Sequence, residues 1–327
     1  DADDFRRPAP PTGADLACLQ YTGGTTGRSR GAMLTHANLV ANIRQINTWF
    51  AAERIDGEEI MVTPLPLYHV YALMCNCLCY VDTGGHNILI TDPRNIKGLI
   101  AELKRWKFTA ITGVNTLYQA LVEHPDLPSV DFSTLKITSA GGMAVMPATA
   151  KRWMEITGHM ILEGYGLSET SPVVTINPVT LKEYNGSIGL PLPNTIVALR
   201  GEDGKDVLPG QPGEICVQGP QVMLGYWNDS DATANAMTSD GFLRTGDIAV
   251  MDERGYRVDP AADGEHPTDR LDLVAADHPQ LAADYRSART ASAGSIDDLR
   301  VAFVRDRALF EALVVDGTDA DTPARTR

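Results

Sequence analysis

The residues with the clearest chemical meaning lie at positions 21–31, which read Y-T-G-G-T-T-G-R-S-R-G. A phosphate site needs backbone N–H groups that approach closely, hydroxyl donors and a cation. The candidate phosphate contacts are Thr22, Gly23, Gly24, Thr25, Thr26, Gly27 and Arg30. No Walker pattern G-x-x-x-x-G-K-[ST] occurs in the chain. An ordinary flexible turn is the alternative, but four glycines and three threonines before a predicted helix favour phosphate binding.

A second group of polar residues lies at positions 163–170, which read E-G-Y-G-L-S-E-T. Tyr165 offers an aromatic face for a base, Ser168 a hydroxyl for a phosphate, and Glu169 a carboxylate for Mg²⁺. The motif directly follows a predicted strand at residues 160–162, and ligands of doubly wound sheets gather at the carboxyl ends of strands. The pattern is weak by itself, but its position downstream of the first motif strengthens it.

The elements that must position these motifs alternate between strands and helices. Apolar runs predict strands at 16–21, 108–114, 135–139 and 160–162, and helical spacing predicts helices after Thr35 and at 96–103, 116–124 and 147–157. The segment 22–31 is expected to be a loop that leads to Thr35 as a helix N-cap. This alternation predicts an α/β fold with a mainly parallel sheet flanked by helices.

The pattern of predicted elements changes after about residue 186, and the amino-acid composition changes after residue 258. Strands predicted at 195–200 and 214–218, with an Asp203-Gly204 hairpin signal, indicate a small β-rich subdomain. We therefore expect an α/β core at 12–185, a β-rich subdomain at 186–258 and an unmatched tail at 259–327. The tail is rich in Ala, Asp and Arg, which predicts poor packing apart from one helix at 296–313.

Composition excludes several classes of protein. The formal net charge of −14 over 327 residues argues against a non-specific nucleic-acid surface. No apolar run approaches about 20 residues, so no membrane span is predicted, and the polar N-terminus does not resemble a signal peptide. Cys75, Cys77 and Cys79 are closely spaced but lack a second ligand cluster, so reduced buried thiols in a cytoplasmic protein are favoured over a metal loop. The first residue, Asp1, is compatible with a fragment.

Together, the two motifs resemble those of the adenylate-forming superfamily, which contains acyl-CoA synthetases, luciferases and peptide-synthetase adenylation domains. The resemblance implies that Tyr165 stacks on adenine, that Ser168 contacts the α-phosphate, and that Glu169 and Thr22 hold Mg²⁺. Glu163 and Gly164, within the same motif, are counted among the nucleotide contacts. The family's loop usually ends in Lys at the position of Arg30, and Ser168 stands where Thr is more usual. Glu169, Ser168 and Arg30 are the implied catalytic residues.

Three shorter stretches carry the same resemblance. The run P-L-P-L-Y-H at 64–69 is similar to the segment whose histidine, here His69, borders the acyl-adenylate. The run A-G-G-M at 140–143 resembles the turn against adenine, which implicates Gly142. In L-R-T-G-D at 243–247, Asp247 would accept hydrogen bonds from both ribose hydroxyls.

Residues 15–258 resemble bacterial long-chain fatty-acid–CoA ligases nearly continuously. The implied fold is therefore part of the large N-terminal domain of adenylate-forming enzymes. The implied reaction activates a fatty acid with ATP and Mg²⁺ as an acyl-adenylate, which then reacts with CoA. Segments 71–81 and 111–121 are candidate walls of the acyl tunnel, with a place in the ordinary core as the alternative for either. The expected partners are these small molecules, with no nucleic acid, and the expected location is the cytoplasm with at most peripheral contact with the inner face of the membrane.

The resemblance stops after residue 258, where the family continues into a D-R-K-K hinge and a mobile domain with a catalytic lysine. The last lysine of this chain is Lys205. We therefore expect the chain alone to form acyl-CoA slowly. Two alternatives stay open: a catalytically crippled nucleotide-binding remnant, and an adenylating enzyme for another carboxylic acid.

Overall fold

The computed structural model describes residues 10–22, 30–252 and 255–258. The predicted phosphate contacts Gly23, Gly24, Thr25, Thr26 and Gly27 lie outside the described residues. The predicted tail at 259–327, with its helix at 296–313, lies outside them as well.

The described strands form three sheets. Their bounds are β1 Leu16–Thr22, β2 Arg30–Thr35, β3 Ile60–Thr63, β4 His86–Leu89, β5 Ala110–Gly113, β6 Ile137–Ala140, β7 Ile161–Gly166, β8 Val173–Ile176, β9 Leu190–Pro191, β10 Ile196–Arg200, β11 Gly213–Gln218, β12 Leu243–Asp252 and β13 Gly255–Val258. The largest sheet has the order β4-β3-β5-β6-β7-β8-β9, and β10 to β13 form a four-stranded antiparallel sheet. β1 and β2 pair antiparallel as a separate two-stranded sheet.

Most of the α-helices flank the large sheet, and the last one packs against β12 of the four-stranded sheet. Their bounds are α1 His36–Trp49, α2 Cys79–Asp82, α3 Ile96–Arg105, α4 Asn115–Glu123, α5 Pro147–Thr157 and α6 Ser230–Ala236. A π-helix at Ala72–Leu78 leads directly into α2. Thr35 caps α1 through a reciprocal capping box with Asn38, as the sequence predicts for this N-cap.

The large sheet has two packed faces. Strands β4, β3, β5, β6 and β7 run parallel. β5 and β6 are buried at every position, which explains their short, continuous runs of apolar and small residues. On one face, Leu103 and Trp153 belong to a core cluster built from α3, α4 and α5. On the other face, Phe50 and Tyr80 belong to a cluster built from α1 and the helices at 72–82. The predicted α/β class is confirmed.

Two boundaries differ from the sequence prediction. β7 does not end at residue 162 but continues to Gly166, because β8 pairs antiparallel with its carboxyl half. The second motif is therefore partly strand. The predicted loop at 22–31 is wrong at its end, because Arg30 and Gly31 already belong to β2, which pairs with β1. The glycine- and threonine-rich segment thus connects two antiparallel strands.

The described cysteines have free thiols. Cys75 and Cys79 are buried against the second core cluster, whereas Cys77 is half-buried. Burial raises the pKa of the Cys79 thiol to about 12. No helix within the described ranges combines the length and apolar character needed to cross a bilayer.

Candidate functional site

The carboxyl ends of β6 and β7 form the centre of the candidate site. β6 ends at Ala140 and leads into the glycine turn, where Gly142 has φ +78°, a conformation that favours glycine. β7 ends at Gly166, where an added Cβ would lie 2.0 Å from the carbonyl oxygen of Pro172. Glycine is therefore required at 166 for β7 and the chain entering β8 to approach each other. The two motifs at 140–143 and 163–170 become neighbours through β6–β7 pairing.

Tyr165 and Asp247 connect the large sheet to the four-stranded sheet. The phenol of Tyr165 donates a 2.6 Å hydrogen bond to Oδ2 of Asp247, which lies in β12. Burial, with the adjacent Asp247 carboxylate, raises the pKa of Tyr165, so the phenol stays protonated. A carboxylate has about four acceptor positions, so this bond leaves Asp247 able to accept from ribose hydroxyls.

Glu169 lies in a second polar cluster beside this pair. Its side chain is 9% exposed, and Oε1 accepts a 2.7 Å hydrogen bond from the phenol of Tyr226. Burial, with the neighbouring Glu169, raises the pKa of Tyr226. The Arg30 guanidinium lies 5.5 Å from the centre of the Tyr226 ring, and Nε of Arg30 is 3.7 Å from Oδ2 of Asp229. Two of the three implied catalytic residues, Glu169 and Arg30, are thus joined through one tyrosine.

The pairing of β1 with β2 brings together the two ends of the predicted phosphate-binding segment at 22–31, here called the phosphate segment, beside this cluster. Thr22 is the last residue of β1 and pairs with Arg30, the first residue of β2. The carbonyl oxygen of Gly31 accepts a 2.8 Å hydrogen bond from the N–H of Trp227, next to Tyr226. Thr22 and Arg30 therefore lie beside each other, and the Arg30 guanidinium lies over the ring of Tyr226. Backbone pairing, rather than sequence proximity, places the two motifs together.

Glu163 has a different environment from the other predicted nucleotide contacts. Oε1 of its buried carboxyl group accepts a 2.7 Å hydrogen bond from the N–H of Val145. Burial raises the pKa of Glu163. The neighbouring Gly164, by contrast, lines the cavity described next. Glu163 thus fixes the segment that follows the glycine turn.

A cavity of about 190 Å³ extends from the glycine turn into the space between the sheet and α1. Of the predicted site residues, it is lined by His69, Gly142, Gly164, Tyr165 and Ser168. Glu169, Arg30 and Asp247 lie in the adjacent polar clusters. Nδ1 of His69 accepts a 3.2 Å hydrogen bond from the N–H of Tyr71. The deeper lining is mostly apolar, with Ile46, Phe50, Met61, Ile137, Ile176 and Leu192.

The two predicted wall segments contribute unequally to this cavity. Tyr71 and Cys75, from the 71–81 segment, line it. From the 111–121 segment, Thr112 lines it, whereas Leu117 and Leu121 pack in the helical core on the opposite face of the sheet. The first segment therefore contributes more to this cavity than the second, because α4 lies on the far side of the sheet.

The sequence analysis missed Tyr226 and Asp229 as site residues. Tyr226 belongs to the G-Y-W run at 225–227, within a stretch that carries the family resemblance, but no local feature indicates that its phenol meets Glu169. Asp229 is the N-cap of α6. Aspartate is common at N-caps, so its presence there does not indicate a functional site. Only the tertiary structure places both beside Arg30.

Comparisons with known proteins agree with this geometry. Residues 1–227 match the family model described as "AMP-binding enzyme". The long-chain-fatty-acid–CoA ligase of Escherichia coli O157:H7 is 53% identical over 74% of this chain and 43% of its own length. The enzyme of the same name from Bacillus subtilis is 40% identical over 74% of this chain and 43% of its length. The chain thus spans less than half the length of these curated relatives.

Solved structures give the same result for the fold. ATP-bound MatB from Rhodopseudomonas palustris has a TM-score of 0.67 and 32% identity, over 76% of this chain and 48% of its own. The inhibitor-bound N-terminal domain of FACL13 from Mycobacterium tuberculosis has a TM-score of 0.68 and 26% identity, over 77% of this chain and 62% of its own. The family model covers well over half of the sequence. The motifs at 140–143 and 163–170 lie together at the carboxyl ends of β6 and β7 in the large sheet. This chain belongs to the family of AMP-binding enzymes.

Proposed function

We propose that the protein to which this chain belongs activates a fatty acid with ATP and Mg²⁺ as an acyl-adenylate and transfers the acyl group to CoA. One observation carries the proposal above the others. The mostly apolar cavity begins at Gly142, Tyr165 and Ser168, the predicted nucleotide contacts, and continues into the interior. An acid bound there has its carboxylate at the nucleotide and its chain among apolar side chains.

The polar clusters supply what the first half-reaction requires. The fatty carboxylate attacks the α-phosphate, a new C–O–P linkage forms, and the P–O bond to pyrophosphate breaks. Both reactants are anions, so donors and cations at the meeting point lower the barrier. Ser168 would contact the α-phosphate and Arg30 would counter its charge, while Tyr165 would stack on adenine. His69, which lines the same cavity, would border the acyl-adenylate.

The residues present fit a magnesium ion. Mg²⁺ in nucleotide sites binds one or two carboxylates together with phosphate oxygens and water. Glu169 would supply such a carboxylate, which the phenol of Tyr226 holds in place. Thr22 is the second predicted ligand. When bound, the ion would neutralise phosphate charge.

Pyrophosphate release tests the adenylation step directly. The purified chain is incubated with ATP, Mg²⁺ and octanoate, palmitate, ferulate or malonate in separate reactions, and ATP binding is measured in parallel by calorimetry. Release that is highest with aliphatic acids supports the proposal. Preference for ferulate or malonate would instead support an adenylating enzyme for another acid. ATP binding without release or acid binding would support the nucleotide-binding remnant.

A further inference from the structure

The acyl cavity has a defined far end. It is lined by Ile137, the first residue of β6, and by Ala140, the last. A strand rises about 3.3 Å per residue, so the cavity runs at least about 10 Å along β6. Gly142 and Tyr165 mark the nucleotide end. Met61, near the start of β3, lies at the opposite end.

Arg54 lies at this far end. It follows α1 and lines the cavity, yet it is only half-buried. Its guanidinium carbon is 4.6 Å from the centre of the Tyr80 ring and 5.2 Å from that of Phe50. Nη1 donates a hydrogen bond to Oδ1 of Asn47. A charged side chain thus closes a cavity whose deep walls are mostly apolar.

The position of Tyr80 confirms that Arg54 is at the amino edge of the sheet. The Tyr80 ring packs against Gly85, where an added Cβ would lie 2.9 Å from Cδ1 of Tyr80 and 3.1 Å from the carbonyl oxygen of Glu59. Glu59 immediately precedes β3. Its Oε1 accepts a 2.8 Å hydrogen bond from the N–H of Ile55, the residue after Arg54. The nucleotide contacts lie at the other edge.

One N–H group of the Arg54 guanidinium lacks a hydrogen-bond acceptor among the described residues. Nε of Arg54 is buried and has no hydrogen-bond partner among residues 10–22, 30–252 and 255–258. An unpaired buried N–H is unfavourable. Solvent lies close by, since the neighbouring Ile55 and Val81 are 53% and 65% exposed. A long, flexible arginine that turns outward would keep its charge in water and hydrate Nε.

We propose that Arg54 is a movable plug that sets the longest acyl chain the closed cavity accepts, and that longer chains displace it toward solvent. The cavity volume of about 190 Å³ is smaller than the roughly 300–1,000 Å³ typical of sites for drug-sized ligands. A medium-length acid fits with Arg54 in place. Displacement costs the two ring contacts, the bond to Asn47 and the polar contacts with Cys79 and Tyr80, so it penalises long chains selectively. This inference rests on the proposed function.

The test compares acids of increasing length. Wild type and Arg54→Ala are titrated with octanoate, laurate and palmitate by calorimetry in the presence of ATP and Mg²⁺, and pyrophosphate release is measured with the same acids. Removing the plug lets additional methylenes be buried, so the palmitate-to-octanoate affinity ratio should rise about tenfold or more. Arg44→Ala, at an exposed position on α1, is the matched control and should keep the wild-type ratio.

The possible outcomes distinguish a failure of the proposed role of Arg54 from a failure of the proposed function. If Arg54→Ala binds the acids with an unchanged ratio, the plug is wrong and the proposed function stands. If wild type and variants bind ATP but no acid of any length, both are wrong. If the alanine variant fails to fold, Arg54→Met replaces it, because methionine keeps an apolar side chain without the charge. Its palmitate-to-octanoate affinity ratio should also rise relative to wild type.

Discussion

The phenol of Tyr226 donates a 2.7 Å hydrogen bond to Oε1 of Glu169, and the same tyrosine ring lies under the guanidinium of Arg30. One side chain therefore orients a buried carboxylate and contacts the cation at the end of the phosphate segment. A hydrogen bond to a charged group contributes about 1.5–3 kcal/mol to the free energy of unfolding. We therefore expect Tyr226 to hold the Glu169 carboxylate in its position.

Tyr226→Phe tests that relationship. The ring contact with Arg30 is kept, while the buried Glu169 carboxylate loses its donor. We expect the free energy of unfolding of the ligand-free chain to fall by about 1.5–3 kcal/mol. Mg²⁺ and ATP should stabilise this variant more than wild type, because the ion compensates the unpaired carboxylate. Denaturant melts with and without Mg²⁺–ATP measure both effects.

Tyr256→Phe is the matched control for that experiment. Its phenol donates to the carbonyl oxygen of Val197 in the four-stranded sheet, away from Glu169. This change should lower stability but leave the additional stabilisation by Mg²⁺–ATP as in wild type. Equal responses of the two phenylalanine variants to Mg²⁺–ATP would contradict a role for Tyr226 at the proposed Mg²⁺ site.

Glu169→Ala should abolish the Mg²⁺-dependent part of nucleotide binding. Losing a charged contact to the ion costs roughly 2 kcal/mol or more, which corresponds to an increase in Kd of about 30-fold. Calorimetry with ATP, in Mg²⁺ and in chelator, separates the metal-dependent part from the rest. Glu155→Ala removes an exposed carboxylate that pairs with Arg152 on α5 and should have no effect. Unchanged Mg²⁺-dependent affinity in Glu169→Ala would refute the assignment.

Asp247→Asn should weaken recognition of the ribose. The amide keeps one acceptor but loses the charge, so ATP affinity should fall about tenfold. Binding of 2′,3′-dideoxy-ATP should fall much less, because that ligand offers no hydroxyls to Asp247. Tyr165→Phe provides the comparison, since it removes only the hydrogen bond between the phenol and Asp247 and retains the aromatic face. If Asp247→Asn weakened both nucleotides equally, the ribose role would be wrong.

Glu163→Gln separates a structural role from a nucleotide contact. The glutamine oxygen can still accept from the N–H of Val145, so we expect ATP affinity to stay within about twofold of wild type. A large loss of affinity would show that Glu163 contacts the nucleotide, as the family resemblance implies.

The same variant makes a prediction about pH. Burial raises the folded-state pKa of Glu163 above its ordinary value of 4.5. The protonated form therefore contributes stability that is fully present below pH 4.5 and is lost as pH rises through the folded-state pKa. Glu163→Gln should lack this loss, so its stability relative to wild type should increase with pH across that window. Thermal melts at a series of pH values, with Glu155→Gln as the control, measure the difference. A constant difference would contradict the raised pKa.

Several features of the fold were predictable because their causes are local. The helix predicted at 147–157 matches α5, which begins at Pro147 and ends before Gly158 in a left-handed conformation, and Thr35 caps α1 as predicted. The strand bounds were less predictable. The carboxyl end of β7 extends to Gly166 because β8 pairs with it, and β2 is defined by its pairing with β1.

The sequence by itself determined the motifs, their order and the alternation of strands and helices, since these depend on residue types a few positions apart. The tertiary structure alone decided which side chains meet. Tyr226 and Glu169 are 57 residues apart, and Tyr165 and Asp247 are 82 apart. Arg54, which no sequence motif singles out, lines the cavity because α1, the helix before it, packs across the sheet. Contacts of this kind follow from how whole elements pack, and no local pattern encodes them.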